Sequence, residues 1–402
     1  MDLNLMRELS VSTTSKIVLL VVDGLGGLPM EPGGQTELEA ADTPHLDGLA
    51  AHSDLGLSRP VAAGVSPGSG PGHLGLFGYD PLRFQVGRGV LSALGVGFEL
   101  QSSDLAARIN FATLDESGRI SDRRAGRIPS DKGEELVALL NENLELDGAE
   151  VFIAHEKEYR AVAVFRADGL SGGLSDTDPQ RVGLEPLPVG PHDDSPEAKK
   201  SAGLANTFVR KANEVLADQH PANTVLLRGF GMHPALPSFD EAYKLNAAAI
   251  AGYPMYKGLA RLAGMRLLQE GPGIAGEFET LKENWEAHDF FFLHVKPTDA
   301  AGEDGDFDRK ASVIEEVDAQ VPGLLDLSPD AVAVTGDHAT PARMKSHSWH
   351  GVPVLINSPY TMPTAGKFGE RPCAGGSLGV FPAEEIMGYL MGHALKLNRF
   401  GA

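Results

Sequence analysis

The chain holds one cysteine, Cys373, in 402 residues, so no intrachain disulfide can form and a reducing compartment is the expected home. Long apolar runs are missing as well. After a polar N-terminal stretch, "IVLLVV" spans only Ile17–Val22 and stops at Asp23, too short for a membrane span or the apolar segment of a secretory leader. Basic residues are scarce: 34 Lys and Arg face 55 Asp and Glu, a net charge of -21. That balance argues against nucleic acid or an anionic membrane as partner, and any anionic ligand must be held by a local cluster of arginines. Internal repeats and low-complexity tracts are absent. A cytoplasmic protein with a small-molecule partner is expected, its oligomeric state left open.

What is present is ordinary globular material, 42% hydrophobic and 22% charged. The length exceeds what one core usually holds, so two domains or one enlarged α/β domain are expected. "KIVLLVVDGLGGLP" is a continuous β-branched run closed by Asp and Gly, the pattern of a strand buried on both faces of a parallel sheet. "TPHLDGLAAHS" reads as a short helix opened by Thr43 and Pro44. The middle of the chain turns to β pattern in "AEVFIAHEKEYRAVAVFRADGL", then to Gly, Pro and Asp over residues 169–197. From about residue 245 the βα alternation returns, with strands at "DFFFLHV", "AVAVTGDH" and "VPVLINS". The organisation is a doubly wound α/β domain, residues 1–100 and 245–402, interrupted by an inserted α+β domain, 101–244.

The stretch "VSPGSGPGHLGLFGYDP", residues 65–81, places Ser69 between Gly68 and Gly70 just before an apolar turn. Alone it fits a Gly/Pro turn in which the serine bonds its own backbone. Each sheet-forming stretch, however, ends in groups that ligate metals: Asp23 in "VVDG"; Asp299, Glu303, Asp304 and Asp306 in "LHVKPTDAAGEDGD"; Asp337 and His338 in "VTGDHATP"; His347 and His350 in "KSHSWHGVP". Carboxylates and imidazoles at the carboxyl ends of neighbouring strands converge on one pole of a sheet. Mixed oxygen and imidazole ligands suit Mn²⁺, Zn²⁺ or Mg²⁺, and two such ions activate a hydroxyl and clamp a phosphoryl group. Asp304 and Asp306 read better as solvated or helix-capping charges, and His73 in "GPGHL" fits phosphate contact or packing equally.

In that order, "VVDGLGG", "PGSGPGHLGLFGYDP", "GRGVLSALG", "DRRAGRI", "SDTDP", "YKGLARLAGM", "HVKPTD", "TGDHATP" and "HSWHGVPVL" resemble, nearly end to end, the cofactor-independent (2,3-bisphosphoglycerate-independent) phosphoglycerate mutases of archaeal type, within the alkaline phosphatase superfamily. The resemblance implies an alkaline-phosphatase-like sheet domain and interconversion of 3- and 2-phosphoglycerate without 2,3-bisphosphoglycerate. It makes Ser69 the nucleophile, with Asp23, Ser69, Asp337 and His338 on one divalent ion and Asp299, Glu303 and His347 on the other. His347 is preferred to His350 because the family's ligand lies six residues before the proline of "VP", here Pro353. Substrate cations are implied at Arg124 and Arg127 in "DRRAGR", Arg160 in "EYRAV" and Arg228 in "LLRG", with Lys257 in "YKG" on the sheet-domain side. Glu303 stands where the family carries His. That harder ligand points to Mn²⁺ first, with Mg²⁺, Zn²⁺ or Co²⁺ as alternatives. Two rivals remain: a metal-dependent phosphatase or other phosphomutase of the superfamily, and a non-catalytic phospho-ligand binder.

Overall fold

The computed structural model describes residues 2–401. In chain order its strands are β1 (Ile17–Val22), β2 (Ser53–Arg59), β3 (Asp104–Leu114), β4 (Ile120–Asp122), β5 (Glu150–Lys157), β6 (Arg160–Arg166), β7 (Thr224–Met232), β8 (Ala247–Ala251), β9 (Arg266–Leu267), β10 (Phe290–Val295), β11 (Ala331–Thr335), β12 (Val352–Asn357) and β13 (Gly379–Pro382). They belong to two compact units. The first comprises the chain up to Gln85, Leu236–Tyr253, and everything from Leu259 on; the second comprises Val86–Ala235 and Pro254–Gly258.

The first unit is built on an eight-stranded sheet of order β13-β2-β12-β11-β1-β10-β8-β9. All six residues of β1 and of β10 are buried, as runs with no polar face require. Phe290, Phe291 and Phe292 are wholly buried, each contributing about 2–3 kcal/mol. The α/β fold class expected from the sequence is what the chain adopts, with one correction. "VPVLINS" does form a strand, but β12 pairs antiparallel with both β11 and β2. Residues 336–351 contain no helix, and without a crossover helix the chain must return antiparallel.

In the second unit, β3 pairs with β6 on one side and β7 on the other, and β5 extends the sheet beyond β6. Leu105, Ala107, Ile109 and Phe111 alternate onto one face, where they pack with the helices Ser130–Asn143 and Pro196–Leu216. The helix Arg88–Gly95 packs against β3 and β7. Gly258 approaches that helix so closely that a Cβ would stand 2.2 Å from the Leu91 carbonyl oxygen. The short stretch carrying Lys257 therefore packs with the second unit, and not with the sheet domain to which its position in sequence had pointed.

One half-buried carboxyl in the first unit carries a pH signature. Glu370 accepts hydrogen bonds from Gly27 N and the Thr36 hydroxyl, yet burial pushes it from the ordinary 4.5 up to about 7. A carboxyl raised on folding stabilises most below 4.5, and that contribution is lost as pH rises through about 7. Glu370→Gln should therefore gain on the parent by a few degrees in melting temperature between pH 5 and pH 8, readable by calorimetry at the two values.

Candidate metal centre and nucleophile

Strand direction explains how distant segments meet. β11, β1 and β10 are adjacent and parallel, so the loops after them leave the sheet side by side. Asp23 follows β1 directly. Asp299 lies in the helix Pro297–Asp304 just beyond β10, and Asp337 and His338 lie just beyond β11. Because β12 runs the opposite way, its amino end starts at this same edge, and the segment before it delivers His347. β2 runs with β1, and the loop after it leads to Ser69, the first residue of the helix Ser69–Leu76.

The side chains of these segments come together. Ligand atoms of Asp23, Asp337 and His338 lie within 4.8 Å of one another, as do those of Asp299, His338 and His347. His338 thus belongs to both sets, and its ring stacks on that of His347 at 3.6 Å between centroids. Ser69 Oγ stands 3.2 Å from His338 Nε2. Glu303 is at the rim, more than half exposed, with Oε1 3.8 Å from His347 Nε2. Three residues of the same stretches fall outside: His350 bonds Ser348, Asp304 pairs with Arg309, and Asp306 caps the helix Phe307–Asp318. Carboxylate oxygens and imidazole nitrogens gathered around shared atoms fit divalent cations.

Charged and titratable groups are concentrated here and buried: Asp23, Asp299, Asp337, His294 and His338. Burial alone would raise the Asp23 carboxyl, but the His294 bond and the Lys296 charge hold it well below the usual range. Asp299 is likewise lowered, its burial more than offset by His347 and Lys296. Burial lowers His338, favouring the neutral imidazole that a metal needs. Burial also disfavours the cation at His347, but its bond with Asp299 raises it to about 9.

Sequence reasoning missed Lys296, His294 and Thr340 behind the candidate ligands, and named His73 without finding its partner. Lys296 Nζ lies 3.1 Å from Asp23 Oδ2 and also contacts Asp299, so it bridges carboxylates of the two sets. His294 Nε2 is 3.3 Å from Asp23 Oδ2. His73 Nδ1 reaches both the Ser69 carbonyl oxygen at 2.8 Å and Asp337 Oδ2 at 3.2 Å. Thr340 Oγ1 donates to Asp299 Oδ1 at 2.7 Å and lies 3.0 Å from His338 Nδ1. His294 had left a signal: an imidazole inside the wholly buried "FFFLHV" needs a polar partner.

The glycines around Ser69 have a steric cause. A Cβ on Gly72 would stand 2.3 Å from the Asp337 carbonyl oxygen, so only glycine lets the helix Ser69–Leu76 lie against the Asp337 loop. Gly72→Ala should displace Ser69 from the ligands and lower turnover about 100-fold, with the circular dichroism spectrum retained. Steady-state kinetics beside the spectrum checks this.

The expected substrate cations all lie in the second unit. Arg124 and Arg127 are exposed on a tight turn whose residues Ala125, Gly126 and Arg127 all have positive φ. The Asp122 carboxylate holds that turn by accepting from Arg124 N and Gly126 N. Arg160 stacks on Tyr159 and donates to its hydroxyl. Arg228 faces Asp176 and Asp178, and Asp178 also takes a bidentate bond from Arg123. Two polar residues of the same sheet face were not foreseen. Arg108 is paired in register with Arg228, and Asn110 with Arg160. The "RIN" alternation inside an apolar strand was their signal.

With this geometry established, comparison with known proteins is specific. The family described as 2,3-bisphosphoglycerate-independent phosphoglycerate mutase matches residues 50–223. A Thermus thermophilus protein named as a probable enzyme of that kind is 50% identical, covering 99% of this chain and 98% of its own. An Aquifex aeolicus protein of the same name is 48% identical over 100% of both chains. Among solved structures, the Pyrococcus horikoshii protein PH0037 superposes with a TM-score of 0.83 at 32% identity, covering 97% of this chain and 100% of that one. A cofactor-independent phosphoglycerate mutase from Thermoplasma acidophilum gives 0.69 at 31% identity, covering 94% and 99%. Fold and site together define an α/β protein whose sheet edge gathers metal-ligating groups beside a serine. The chain belongs to the 2,3-bisphosphoglycerate-independent phosphoglycerate mutase family.

Proposed function

We infer that the chain interconverts 3-phosphoglycerate and 2-phosphoglycerate through a phosphoserine at Ser69, without 2,3-bisphosphoglycerate. The observation that carries this reading is Ser69 Oγ at 3.2 Å from His338, among the carboxylates and imidazoles of two ligand sets. In this reading Asp23, Ser69, Asp337 and His338 hold one divalent ion, and Asp299, Glu303 and His347 hold the other. When bound, the ions lower the pKa of a coordinated hydroxyl and neutralise phosphoryl oxygens. Mn²⁺ is the proposed metal, because Glu303 makes the second set rich in oxygen.

The chain's own groups do the rest. Ser69 Oγ gives up its proton and attacks phosphorus in line, the bond from phosphorus to the glycerate oxygen breaks, and that oxygen takes up a proton and leaves as a hydroxyl. The glycerate turns, its other hydroxyl attacks the phosphoserine, and Ser69 is regenerated. Ser69 opens a helix, so unpaired backbone N–H groups favour the negative charge it acquires. Arg124, Arg127, Arg160, Arg228 and Lys257 are the proposed partners of the substrate's carboxylate and phosphate. Support for Arg124 and Arg127 comes from their turn, since left-handed residues other than glycine cost about 1–3 kcal/mol each and concentrate at functional sites. Water must be kept from the phosphoserine, or the enzyme becomes a phosphatase.

No helix among the described residues is long and apolar enough to cross a membrane. The single, buried Cys373 and the net charge of -21 support a cytoplasmic location with neither nucleic acid nor membrane as partner. The function is tested by supplying 3-phosphoglycerate and following the reaction with coupled enolase and with a phosphate assay in parallel. A mutase gives enolase signal and little phosphate; phosphate released in step with substrate loss would make the chain a phosphatase.

A further inference from the structure

Lys310 and Glu37 are both wholly buried. Their bonds share one pattern. Lys310 Nζ donates to the Gly26 carbonyl at 3.0 Å and to the Thr340 carbonyl at 2.9 Å. Glu37 Oε2 accepts from Leu28 N at 3.1 Å, and Oε1 accepts from Ala342 N at 2.7 Å. Gly26 and Leu28 lie on the loop that begins at Asp23, and Thr340 and Ala342 on the loop that begins at Asp337. Each ion therefore ties the same two loops together, one through carbonyls and the other through N–H groups. The two ions stand 3.9 Å apart.

A buried ion pair is poor value as a source of stability, because desolvation cancels most of its attraction. Its better-attested use is to fix one register among several. The register fixed here is that of Asp23 relative to Asp337 and His338. Gly27 gives independent support, since a Cβ there would stand 1.9 Å from Glu37 Oε2. The loop is shaped to let this carboxylate through.

We propose that Lys310 and Glu37 are positioning residues that preset the Asp23–Asp337–His338 ligand set for its divalent ion. The inference rests on the metal assignment made above. Lys310→Met, Glu37→Gln and Gly27→Ala should each weaken Mn²⁺ binding at one of two sites by about 10–100-fold, the range seen when groups behind metal ligands are removed. The other site should keep its affinity. Equilibrium dialysis of Mn²⁺ against each folded variant, with circular dichroism as the folding control, reads this directly. Gly27→Ala removes no charge and acts only by pushing the Glu37 carboxylate out of its place, so it separates position from charge. Two sites at parental affinity in a folded variant would overturn the proposal.

Hydrogen exchange on the metal-free parent gives a second test that needs no variant. The amides of Leu28 and Ala342 should exchange as slowly as those of β1. Exchange at exposed-loop rates would overturn the clamp even if the metal assignment stands. A parent that binds no Mn²⁺ while those amides stay protected would sink the metal assignment instead.

Discussion

Ser69→Ala is expected to lower mutase turnover by at least about 10⁴-fold while leaving a folded protein that still binds divalent ions. The Ser69 hydroxyl is the one group of the protein that, in the proposed reaction, forms and breaks a bond to phosphorus. Losing a nucleophile of this kind removes the whole covalent route, as in other enzymes whose attacking group is deleted. One proposed ion loses its Ser69 ligand but keeps Asp23, Asp337 and His338, and the other keeps Asp299, Glu303 and His347, so binding weakens at one site and persists at both. The small Ser-to-Ala change at a half-buried helix start costs little packing. The coupled assay measures turnover and Mn²⁺ dialysis measures binding. Residual turnover within tenfold of the parent would mean that another group carries the phosphoryl.

Removing divalent ions should have an effect of similar size. Chelation is expected to lower turnover by at least about 10³-fold, and readdition of Mn²⁺ to restore more than Zn²⁺ does. Without the ions, the carboxylates of Asp23, Asp299 and Asp337 are compensated only in part, by Lys296 and by the imidazoles of His347 and His73, and repel an approaching phosphate. The preference for Mn²⁺ is assigned to Glu303, whose carboxylate stands 3.8 Å from His347 Nε2 at the open rim. Glu303→His should shift the order towards Zn²⁺, because imidazole is the softer ligand. A parent that works best with Zn²⁺, or a variant with unchanged metal order, would remove Glu303 from the ligand set.

Much of the candidate site was legible because its proposed ligands sit at strand ends. A buried β-branched run such as "IVLLVV" can belong to little except the middle of a parallel sheet, and the acid closing it then faces the ligand edge. Asp337 and His338 were readable for the same reason. His347 was not accessible by that route. Its position depends on β12 running antiparallel, which periodicity does not reveal, and only the family pattern distinguished it from His350. Lys296 and His294 escaped, and His73 was noticed but left between phosphate contact and packing, because their roles lie in contact with other side chains. A lone lysine or histidine in sequence carries no mark of the carboxylate it will meet. In the second unit the arginines were found through resemblance alone, and Arg108 and Asn110 came to notice only once β3 was paired with β6 and β7.

The central claim is that Ser69 carries the phosphoryl group between the two hydroxyls of glycerate. Acid-quenching the Mn²⁺-loaded protein during turnover of 3-phosphoglycerate, then digesting it and weighing the peptide that spans residues 65–81, tests this most directly. One added phosphoryl group, localised to Ser69 by fragmentation and absent without substrate, is the predicted result. Steady turnover with that peptide unmodified, or with the phosphoryl group on a different residue, would contradict it.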